Sequence, residues 1–506
     1  MNRIHQHSPH PSRHSQRHFS GLNIRMLVKV IGWLLLIEAA FMFIPLAACF
    51  IWEQGRDSVA FMWAIAITAL CGCGATFLSR PMRTDMRKRE SYILTALVWV
   101  VFSAFAMIPF MLCSTPFSLC DAYFEAMSGF TTTGATALGS INSLSHGILM
   151  WRCLMQWLGG MGIILFTLAI LPALNHSGGM MMFNAEVTGI THDKIRPRIS
   201  QTAKGLWGIY FLLSVLLFVL LLCGPMNAFE SICHAMSTIS TGGNSTTDSS
   251  ISHWNSVYVE SILTLFMFLG GVNFVLIYKL GVTRKIRSLW DNEVFRTYVY
   301  IIAVLLVVYA ASIIAGGNYT DVKSVTIDPL FQIVSTITST GYVINGFEKW
   351  GPFILAVTFM LMFFGGCAGS TSGGAKIDRL IYLAKNTGNE ISKVLHPHAI
   401  LSVRVNNKVV PHDLVAKVIA FLCLYMMTIA AGSLLLSALG IPVADAFFSS
   451  FSCVCNTGFG TSITGYGGSY DIMPDAAKWI LSFLMLTGRL ELFTVFVLFT
   501  RRFWHN

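Results

Sequence analysis

The chain has 506 residues, of which 54% are hydrophobic and 11% are charged, and its formal net charge at pH 7 is +10. Charged side chains this sparse cannot cover the surface of a soluble domain of such length, so the composition excludes a large soluble protein. It is typical of a polypeptide that lies in a lipid bilayer.

Residues 1–23 form a polar, basic segment at the amino terminus. The segment lacks the apolar run and the small-residue cleavage site of a signal peptide, so we predict a short disordered tail in the cytoplasm. Its five histidines could bind a metal ion, although His clusters of this kind are more often simply solvated.

Ten apolar stretches downstream of the tail are long enough to cross a hydrocarbon layer about 30 Å thick. They cover residues 27–51, 59–78, 91–112, 149–174, 205–224, 254–278, 297–315, 352–382, 414–437 and 477–500. The basic residues of the connecting loops follow the even-numbered stretches: Arg80, Arg83, Arg87, Lys88, Arg89, Lys194, Arg196, Arg198, Lys204, Lys279, Arg284, Lys285, Arg287, Lys385, Lys393, Arg404, Arg501 and Arg502. The positive-inside rule makes their side the cytoplasm, where both termini would also lie.

The opposite loops, after the third, fifth, seventh and ninth stretches, are rich in Ser, Thr and Gly and too short to cross the membrane. Non-helical backbone at membrane depth is tolerated only beside protein or a water-filled cavity, so these four loops are predicted to re-enter from outside and to line an interior path. The chain is accordingly divided into two amino-terminal helices (24–89) and four repeats (90–190, 191–290, 291–400 and 401–506). The predicted fold class is an all-α membrane protein with ten transmembrane helices.

One motif recurs in the four loops, as DAYFEAMSGFTTTGAT, ESICHAMSTISTGGNS, DPLFQIVSTITSTGYV and DAFFSSFSCVCNTGFG. Each copy has a carboxylate 12 or 13 residues before the glycine of a Thr-Gly pair. The carboxylates are Asp121, Glu230, Asp328 and Asp445, and the glycines are Gly134, Gly242, Gly341 and Gly458. Chance does not place four matching polar motifs at one topological position, so the pattern indicates a fourfold internal repeat.

Each motif begins with about three turns of predicted helix, whose carboxyl end carries a partial negative charge and favours a cation near the membrane centre. The Ser, Thr and Gly residues that follow would run extended, because glycine permits the backbone angles that point carbonyls inward. Four such strands around one axis form rings of carbonyl oxygens that can replace the water around a potassium ion. The candidate ligands are Thr132, Thr133, Gly134, Ser240, Thr241, Gly242, Ser339, Thr340, Gly341, Asn456, Thr457 and Gly458. Alternatively, these small residues only serve close helix packing.

The third repeat interrupts its second apolar stretch with glycines. They are Gly365, Gly366, Gly369, Gly373 and Gly374. Each costs about 1 kcal/mol of helix propensity relative to Ala, so the helix is predicted to break. A broken helix is tolerated beside an aqueous path, which makes this segment a candidate gate below the carbonyl rings. A glycine-rich kink with no gating role is the alternative.

Arg489 lies about midway along the last apolar stretch. A charge there costs about 2.5 kcal/mol or more unless it faces a cavity or finds partners. Glu491 is two residues further and points elsewhere on a helix, so we expect carbonyls of the broken third-repeat helix to be the partners of Arg489. This contact would make Arg489 part of the gate, and a purely structural salt bridge is the alternative.

The twelve cysteines form no CxxC pair and no spacing with histidine that would cage a zinc ion. We predict that they are mostly small apolar packing residues. Cys113 and Cys120 flank one outer loop and could form a disulfide, but free thiols are favoured.

Over roughly residues 25–504, the chain resembles the TrkH-type membrane subunit of the Trk/Ktr/HKT potassium-transporter superfamily. The resemblance rests on the four loop motifs and on QWLGGMGIILFTLAILP, MFNAEVTG followed by KIRPRISQTAK, GGVNF, GGCAGSTSGGAKIDR and GRLELFTVFVLF. It implies four helix, pore loop, helix (M1-P-M2) repeats around a pseudo-fourfold pore, two extra amino-terminal helices and a homodimer. It also implies a cytoplasmic regulatory ring of nucleotide-binding subunits similar to TrkA.

In this family a glycine at each filter position accompanies potassium selectivity, and all four glycines are present. The family's intramembrane loop and conserved arginine map onto Gly365–Gly374 and Arg489. Ser372 departs from the pattern, since relatives carry another glycine there, which leaves the stiffness of the gate open. The residue after each filter glycine also differs among the repeats. Selectivity for K⁺ is therefore predicted to be moderate, with measurable Na⁺ leakage.

The resulting hypothesis is potassium uptake across a bacterial inner membrane through a gated, moderately selective pore. A proton- or sodium-coupled symporter on the same scaffold is the alternative; His234 lies in the second pore helix, but no chain of ionisable groups runs through the predicted core. No GxSG nucleophile, HExxH or GxxxxGK[ST] motif supports an enzyme.

The basic loops 191–204, 279–296 and 385–408 would meet anionic lipid or a regulatory partner. Neither nucleic acid nor a cofactor is expected, and potassium is the transported ligand.

Overall fold

The computed structural model describes residues 22–79, 88–162, 199–283, 286–317, 321–344, 347–460 and 469–505, and its regular structure is almost entirely helical. Six helical segments of these residues are long and apolar enough to cross a membrane, and the number is eight if each of two bent helix pairs counts as one span. The protein is therefore a multi-pass helical membrane protein.

The helices of the amino-terminal part and the first repeat are α1 (Ile24–Phe41), α2 (Phe43–Glu53), α3 (Ser58–Leu78), α4 (Lys88–Ala106), α5 (Ile108–Leu112), α6 (Leu119–Phe130) and α7 (His146–Gly160). Those of the second and third repeats are α8 (Ile199–Leu222), α9 (Ala228–Ile239), α10 (Val257–Gly270), α11 (Phe274–Thr283), α12 (Arg287–Trp290), α13 (Glu293–Ala315), α14 (Val322–Ile337), α15 (Pro352–Phe364) and α16 (Ile377–Leu395). An antiparallel hairpin of β1 (Arg404–Val405) and β2 (Lys408–Val409) precedes α17 (His412–Ala438), α18 (Val443–Cys455), α19 (Asp475–Arg489), α20 (Phe493–Phe496) and α21 (Arg501–His505). Short 3-10 turns lie at Ser250–His253, Phe347–Trp350 and Val497–Phe499.

The amino-terminal helices α1 and α3 pack closely against each other. The side chain of Asn23 caps α1 by accepting the Met26 N–H. A Cβ atom at Gly32 would lie 2.9 Å from the Gly72 carbonyl oxygen, and one at Gly72 would lie 3.0 Å from the Gly32 carbonyl oxygen. Glycine in both helices therefore allows the two backbones to approach each other.

Four units of one plan follow, each with an outer helix, a short helix and an inner helix. The units are α4/α5–α6–α7, α8–α9–α10, α13–α14–α15 and α17–α18–α19. Each short helix packs against both helices of its own unit and against the inner helix of the preceding unit: α6 on α19, α9 on α7, α14 on α10 and α18 on α15. The four units therefore close into a ring.

A carboxylate occupies the first turn of three short helices, where the positive end of the helix dipole stabilises it. These residues are Asp121, Glu230 and Asp445. The third repeat differs from the prediction, because α14 begins at Val322 after the capping residue Asp321. Asp328 therefore lies inside α14, immediately before Pro329, rather than at its start.

The inner helices are shorter than the apolar stretches predicted from the sequence. In the third repeat, α15 ends at Phe364, as the glycine content predicts. The chain also bends by 102° between α10 and α11 and by 109° after α19, which the sequence does not predict. After α19, Glu491 and Leu492 have φ values of 50° and 21°, which a continuing α-helix cannot accommodate. The predicted stretch 149–174 runs past residue 162, beyond the described residues.

Candidate functional site: a ring of backbone carbonyls

Four equivalent chain segments follow the carboxyl ends of the short helices and contact one another. We call residues 132–134, 241–243, 339–341 and 456–458 the ring segments. The first residue of each segment has a φ of 52–53°, and the third, a glycine, has a φ of 76–85°. The second amide donates to a short-helix carbonyl at 2.8–3.0 Å in every repeat: Thr133 to Ser128, Gly242 to Ser237, Thr340 to Ser335 and Thr457 to Ser452. The four segments therefore share one backbone conformation.

This equivalence corrects the predicted register of the second repeat. The Thr-Gly motif aligns Gly242 with the filter glycines of the other repeats, but in the structure Gly243 occupies their position. Gly242 instead occupies the position that threonine holds elsewhere. Gly243 lies 13 residues after Glu230, which is the interval found in the other three repeats. That constant interval is the signal that would have given the correct register, and Ser240 correspondingly precedes the second ring segment.

The ring segments contact one another in cyclic order. A Cβ atom on each third-position glycine would collide with a carbonyl oxygen of the next segment: Gly134 with Gly242, Gly243 with Thr340, Gly341 with Thr457 and Gly458 with Thr133. A residue without a side chain is required at these four positions, and the positive φ values favour glycine for the same reason. The segments close a complete ring of backbone carbonyls.

Most carbonyl oxygens of the ring segments lack a hydrogen-bond donor. Among the described residues, a donor reaches only the carbonyl of Gly242. The carbonyl of the residue after each third-position glycine is by contrast occupied: Ser128 Oγ donates to Ala135 O (2.6 Å), Tyr342 OH to Asn244 O (3.4 Å), Ser335 Oγ to Tyr342 O (2.8 Å) and Tyr470 OH to Phe459 O (3.0 Å). Buried backbone carbonyls are nearly always paired, so these ring carbonyls, all but one of them without a donor, are chemically suited to a dehydrated cation.

Gln156 of α7 belongs to this site although the sequence analysis missed it. Its Nε2 donates to the Gly242 carbonyl at 2.7 Å, and its Oε1 accepts the Ser237 hydroxyl at 2.8 Å and the Asn244 N–H at 3.2 Å. A Cβ atom at Gly242 would collide with the Gln156 amide. The amide therefore fills the space that a threonine side chain would need in the second repeat. A lone amide in an apolar inner helix was the available sequence signal.

Residues 365–376, which we call the break loop, separate α15 from α16 and lie against the ring segments. The loop contacts the ends of two short helices, since Gly374 N donates to Cys455 O (3.1 Å) and Thr371 Oγ1 donates to Ile239 O (3.1 Å). It also contacts the third ring segment, since Gly373 N donates to Ser339 Oγ. The predicted gate residues are therefore brought next to the carbonyl ring.

The break loop also accounts for the end of α10. Cys367 N donates to Gly271 O at 2.9 Å and Thr371 N donates to Gly270 O at 3.3 Å. These amides satisfy carbonyls that would otherwise be orphaned at the helix end. Within the loop, Gly365, Gly369 and Gly374 have φ values of 68°, 79° and 75°. Side chains rarely adopt these angles, so the predicted glycines are needed for the loop's path.

Arg489, at the end of α19, connects the break loop to the first repeat. Its Nη1 donates to Thr371 O at 3.0 Å, and its Nη2 donates to Gly159 O at 2.7 Å and to Gly160 O at 2.8 Å. The expectation that Arg489 contacts carbonyls of the broken third-repeat helix agrees with the first of these bonds. The contacts with Gly159 and Gly160 were not predicted.

Two further contacts shape the break loop and its surroundings. Glu491 turns away from Arg489, as the sequence analysis expects, and forms an ion pair with Arg379 of α16. Ser372 Oγ accepts the Gly366 N–H at 2.9 Å and lies 2.7 Å from Ser370 Oγ. Ser372 therefore closes the break loop on itself, so its hydroxyl adds stiffness to the predicted gate.

The other candidate features of the sequence form no further site among the described residues. All twelve cysteines are free; Cys113 Sγ donates to Thr115 O at 3.0 Å and Cys120 Sγ donates to Asp475 O at 3.3 Å. The His-rich tail, apart from residues 22–23, and residues 191–198 of the first basic loop lie outside the described residues. Within the described residues, no group of three or more His, Cys, Asp or Glu side chains could hold a metal ion.

Comparison with known proteins agrees with this architecture. The family model TrkH, described as cation transport protein, matches residues 57–505. The "Trk system potassium uptake protein TrkH" of Escherichia coli K12 is 34% identical over 96% of this chain and 100% of its own length. "Trk system potassium uptake protein TrkI" of Halomonas elongata is 35% identical over 95% of this chain and 97% of its own length.

A solved structure is similar along nearly the whole chain. It is the crystal structure of the potassium transporter TrkH from Vibrio parahaemolyticus, with a TM-score of 0.86 and 30% sequence identity. The match covers 96% of this chain and 100% of that one. With the family model, the curated relatives and the solved fold all in agreement, this chain belongs to the TrkH family of cation transport proteins.

Proposed function

We propose that this protein takes up potassium across a bacterial inner membrane through a pore whose narrowest part is the carbonyl ring. The observation that carries the proposal is the set of three buried carbonyl layers, almost all without a hydrogen-bond donor. Such oxygens can replace the hydration shell of K⁺. The ring segments begin where the short helices end, so the negative ends of four helix dipoles lie beside them. The names of the relatives support potassium as the ion.

Selectivity in this proposal is moderate. The capped carbonyls of Ala135, Asn244, Tyr342 and Phe459 limit the ring to three layers. Fewer layers offer an ion fewer places where the protein discriminates between K⁺ and the smaller Na⁺. We therefore expect K⁺ and Rb⁺ to pass best, with measurable leakage of Na⁺.

The break loop and Arg489 form the gate of the proposed pore. The loop holds the hydroxyl of Ser339 in the third ring segment and the ends of α9 and α18, so its position governs access from the cytoplasmic side. Arg489 stabilises the closed position by donating to carbonyls of the loop and of the first inner helix. Opening would require these hydrogen bonds to exchange for others.

The wider assembly follows from the family and from the charge pattern. We propose ten transmembrane helices in an M1-P-M2 layout with the repeat boundaries given above, in which each bent inner helix crosses the membrane as one broken span. Both termini lie in the cytoplasm, where the positive loops belong. We also propose a homodimer and a TrkA-like nucleotide-binding regulatory subunit, as the family resemblance implies; the relatives' printed names place them in Trk systems. The proposed function needs no cofactor.

Uptake of radioactive Rb⁺ into liposomes that contain the purified protein tests this function. An outward K⁺ gradient drives the uptake, and external K⁺ or Na⁺ competes. We expect K⁺ to block uptake strongly and Na⁺ weakly, and Gly134→Ser to reduce the difference between the two ions. Equal inhibition by K⁺ and Na⁺ would refute the selectivity, and absence of uptake would refute conduction by this chain alone.

Coupled symport is the second candidate, and one observation favours it. Glu38 of α1 is 1% exposed, and neither of its carboxylate oxygens has a hydrogen-bond partner among the described residues. It lines a small apolar cavity with Phe130, at the end of α6, and Leu158 of α7. A buried carboxyl group without partners is costly when ionised, so it could carry a proton. Proton movement that accompanies Rb⁺ uptake in a fixed ratio would establish this mode.

A further inference from the structure

The fifth residue of every loop motif is polar and buried, which the carbonyl ring by itself does not require. These residues are Glu125, His234, Gln332 and Ser449, and none is more than 2% exposed. Each lies one helical turn after the motif's carboxylate, in the body of its short helix. Burying a polar group costs free energy unless the group is hydrogen-bonded, so the partners of these side chains show what they stabilise.

In the first repeat, Glu125 connects three parts of the unit. Its Oε1 accepts the Thr136 hydroxyl and, at 2.7 Å, the Ala137 N–H, while its Oε2 accepts Arg152 Nε at 3.0 Å. Thr136 comes two residues after Gly134, so it continues the first ring segment. Glu125 and Arg152 are both 2% exposed. Removing one partner of such a buried ion pair strongly destabilises the folded protein, because the other charge is left buried and unpaired. The pair therefore fixes the end of the ring segment to α6 and α7.

In the second repeat, His234 makes the corresponding contact. Its Nδ1 lies 2.8 Å from Glu230 O, which can only accept, so Nδ1 carries the hydrogen and Nε2 is the acceptor. Nε2 lies 3.2 Å from Ser245 Oγ, which donates to it. Ser245 comes two residues after Gly243, just as Thr136 comes two residues after Gly134. The same geometry thus recurs with a different pair of side chains.

The third and fourth repeats lack this contact. Val343 and Gly460 stand two residues after Gly341 and Gly458, and neither has a hydroxyl group. Accordingly, Gln332 Oε1 has no hydrogen-bond partner among the described residues. Among the described residues, the first two ring segments therefore have this contact with their short helices two residues beyond the glycine, and the other two do not. In the same part of the chain, the third segment is held to its short helix beyond the glycine only by the bond from Ser335 Oγ to Tyr342 O.

We infer that Glu125, with Arg152, and His234 are positioning residues that hold the first two ring segments at the spacing of a K⁺ ion. Na⁺ is smaller, so its binding requires the carbonyls to move inward, and a fastened segment resists that movement. The two segments without this contact can follow the smaller ion more easily, which adds a second cause of Na⁺ leakage to the short ring. This inference rests on the proposed function, since it concerns the selectivity of the same ring.

Thr136→Val tests the inference with minimal disturbance, because valine has the shape of threonine and lacks only the hydroxyl. The measured quantity is the Na⁺ concentration that halves Rb⁺ uptake, divided by the K⁺ concentration that does so. We expect this ratio to fall roughly fivefold, which corresponds to about 1 kcal/mol. Thr136→Ser restores the donor and should restore the ratio, which a merely structural role would not require. Thr428→Val is the matched control, since Thr428 is similarly buried and, among the described residues, its hydroxyl donates only to Leu424 O within α17.

Val343→Thr provides the opposite test, because it offers Gln332 the hydroxyl that the third repeat lacks. We expect the same ratio to rise by a similar factor. Unchanged ratios in both Thr136→Val and Val343→Thr, with normal K⁺ preference in the unsubstituted protein, would overturn this inference alone. Absence of K⁺ preference in the unsubstituted protein would overturn the proposed function and, with it, the inference.

Discussion

Replacing Arg489 with glutamine should open the proposed gate. Among the described residues, Arg489 donates three hydrogen bonds to backbone carbonyls, one on the break loop and two on α7. Hydrogen bonds from a charged group contribute about 1.5–3 kcal/mol each, and a glutamine amide can replace one at most. The closed position would then lose about 3 kcal/mol from the two remaining bonds. Because 1.4 kcal/mol corresponds to a factor of ten, basal flux should rise roughly a hundredfold.

The assay is the initial rate of Rb⁺ uptake per reconstituted protein, measured without any regulatory partner. Arg489→Lys is the matched control, because lysine keeps the charge but cannot reach three carbonyls as the planar guanidinium does. If the hydrogen bonds hold the gate, lysine should raise flux nearly as much as glutamine. If the positive charge alone repels ions, lysine should keep flux low.

The result that would refute this reasoning is a normal flux in a well-folded glutamine variant. Folding is checked by monodispersity in detergent and by the thermal unfolding midpoint. An Arg489→Gln protein that matches the unsubstituted protein in both properties and in Rb⁺ uptake would show that the three hydrogen bonds do not control conduction.

Three further predictions follow from the site. Gly243→Ser should lower K⁺ preference far more than Gly242→Ser. Of these two glycines, only Gly243 has a positive φ and faces the neighbouring ring segment, whereas Gly242 faces the adaptable Gln156 side chain. Equal effects in the uptake assay would contradict the corrected register. Ser372→Gly should raise basal Rb⁺ uptake about fivefold, because it removes a hydrogen bond of about 1 kcal/mol that closes the break loop; a reduced rate would contradict this. Glu38→Met should raise the thermal unfolding midpoint, because an unpaired buried polar group costs roughly 1–3 kcal/mol, and should leave uptake unchanged; loss of uptake would instead favour proton coupling.

The sequence predicts the features that follow from the residue types of one segment or from a motif that recurs along the chain. Five glycines in one apolar helix predict its break, and the helix does end at Phe364. A charge in the last apolar stretch predicts carbonyl partners, and Thr371 supplies one. The four motifs are recognisable because they recur at one topological position, and the structure brings their glycines into a single ring.

The remaining features depend on contacts between distant parts of the chain. The one-residue error in the second repeat arises because Gly242, like the filter glycines of the other repeats, directly follows a threonine. Only the structure shows that Gln156, which is distant in sequence, occupies the space that a side chain at residue 242 would need. The ends of α10 and α19 depend on the break loop and on the turn at Leu492, neither of which has a periodic signal. Glu125 and Arg152 are individually unremarkable in sequence, and only the fold pairs them.

The hydroxyl groups that cap the carbonyls beyond each ring glycine also limit how many ions the ring can hold. Three extended residues rise at most about 10 Å. Two K⁺ ions at that separation repel each other by about 1.7 kcal/mol at an effective dielectric constant of 20, so single occupancy is favoured. An ion that enters from one side then seldom meets another, and opposing tracer fluxes should be nearly independent. The flux-ratio exponent should accordingly lie close to one, as in a carrier-like pore rather than a long multi-ion file.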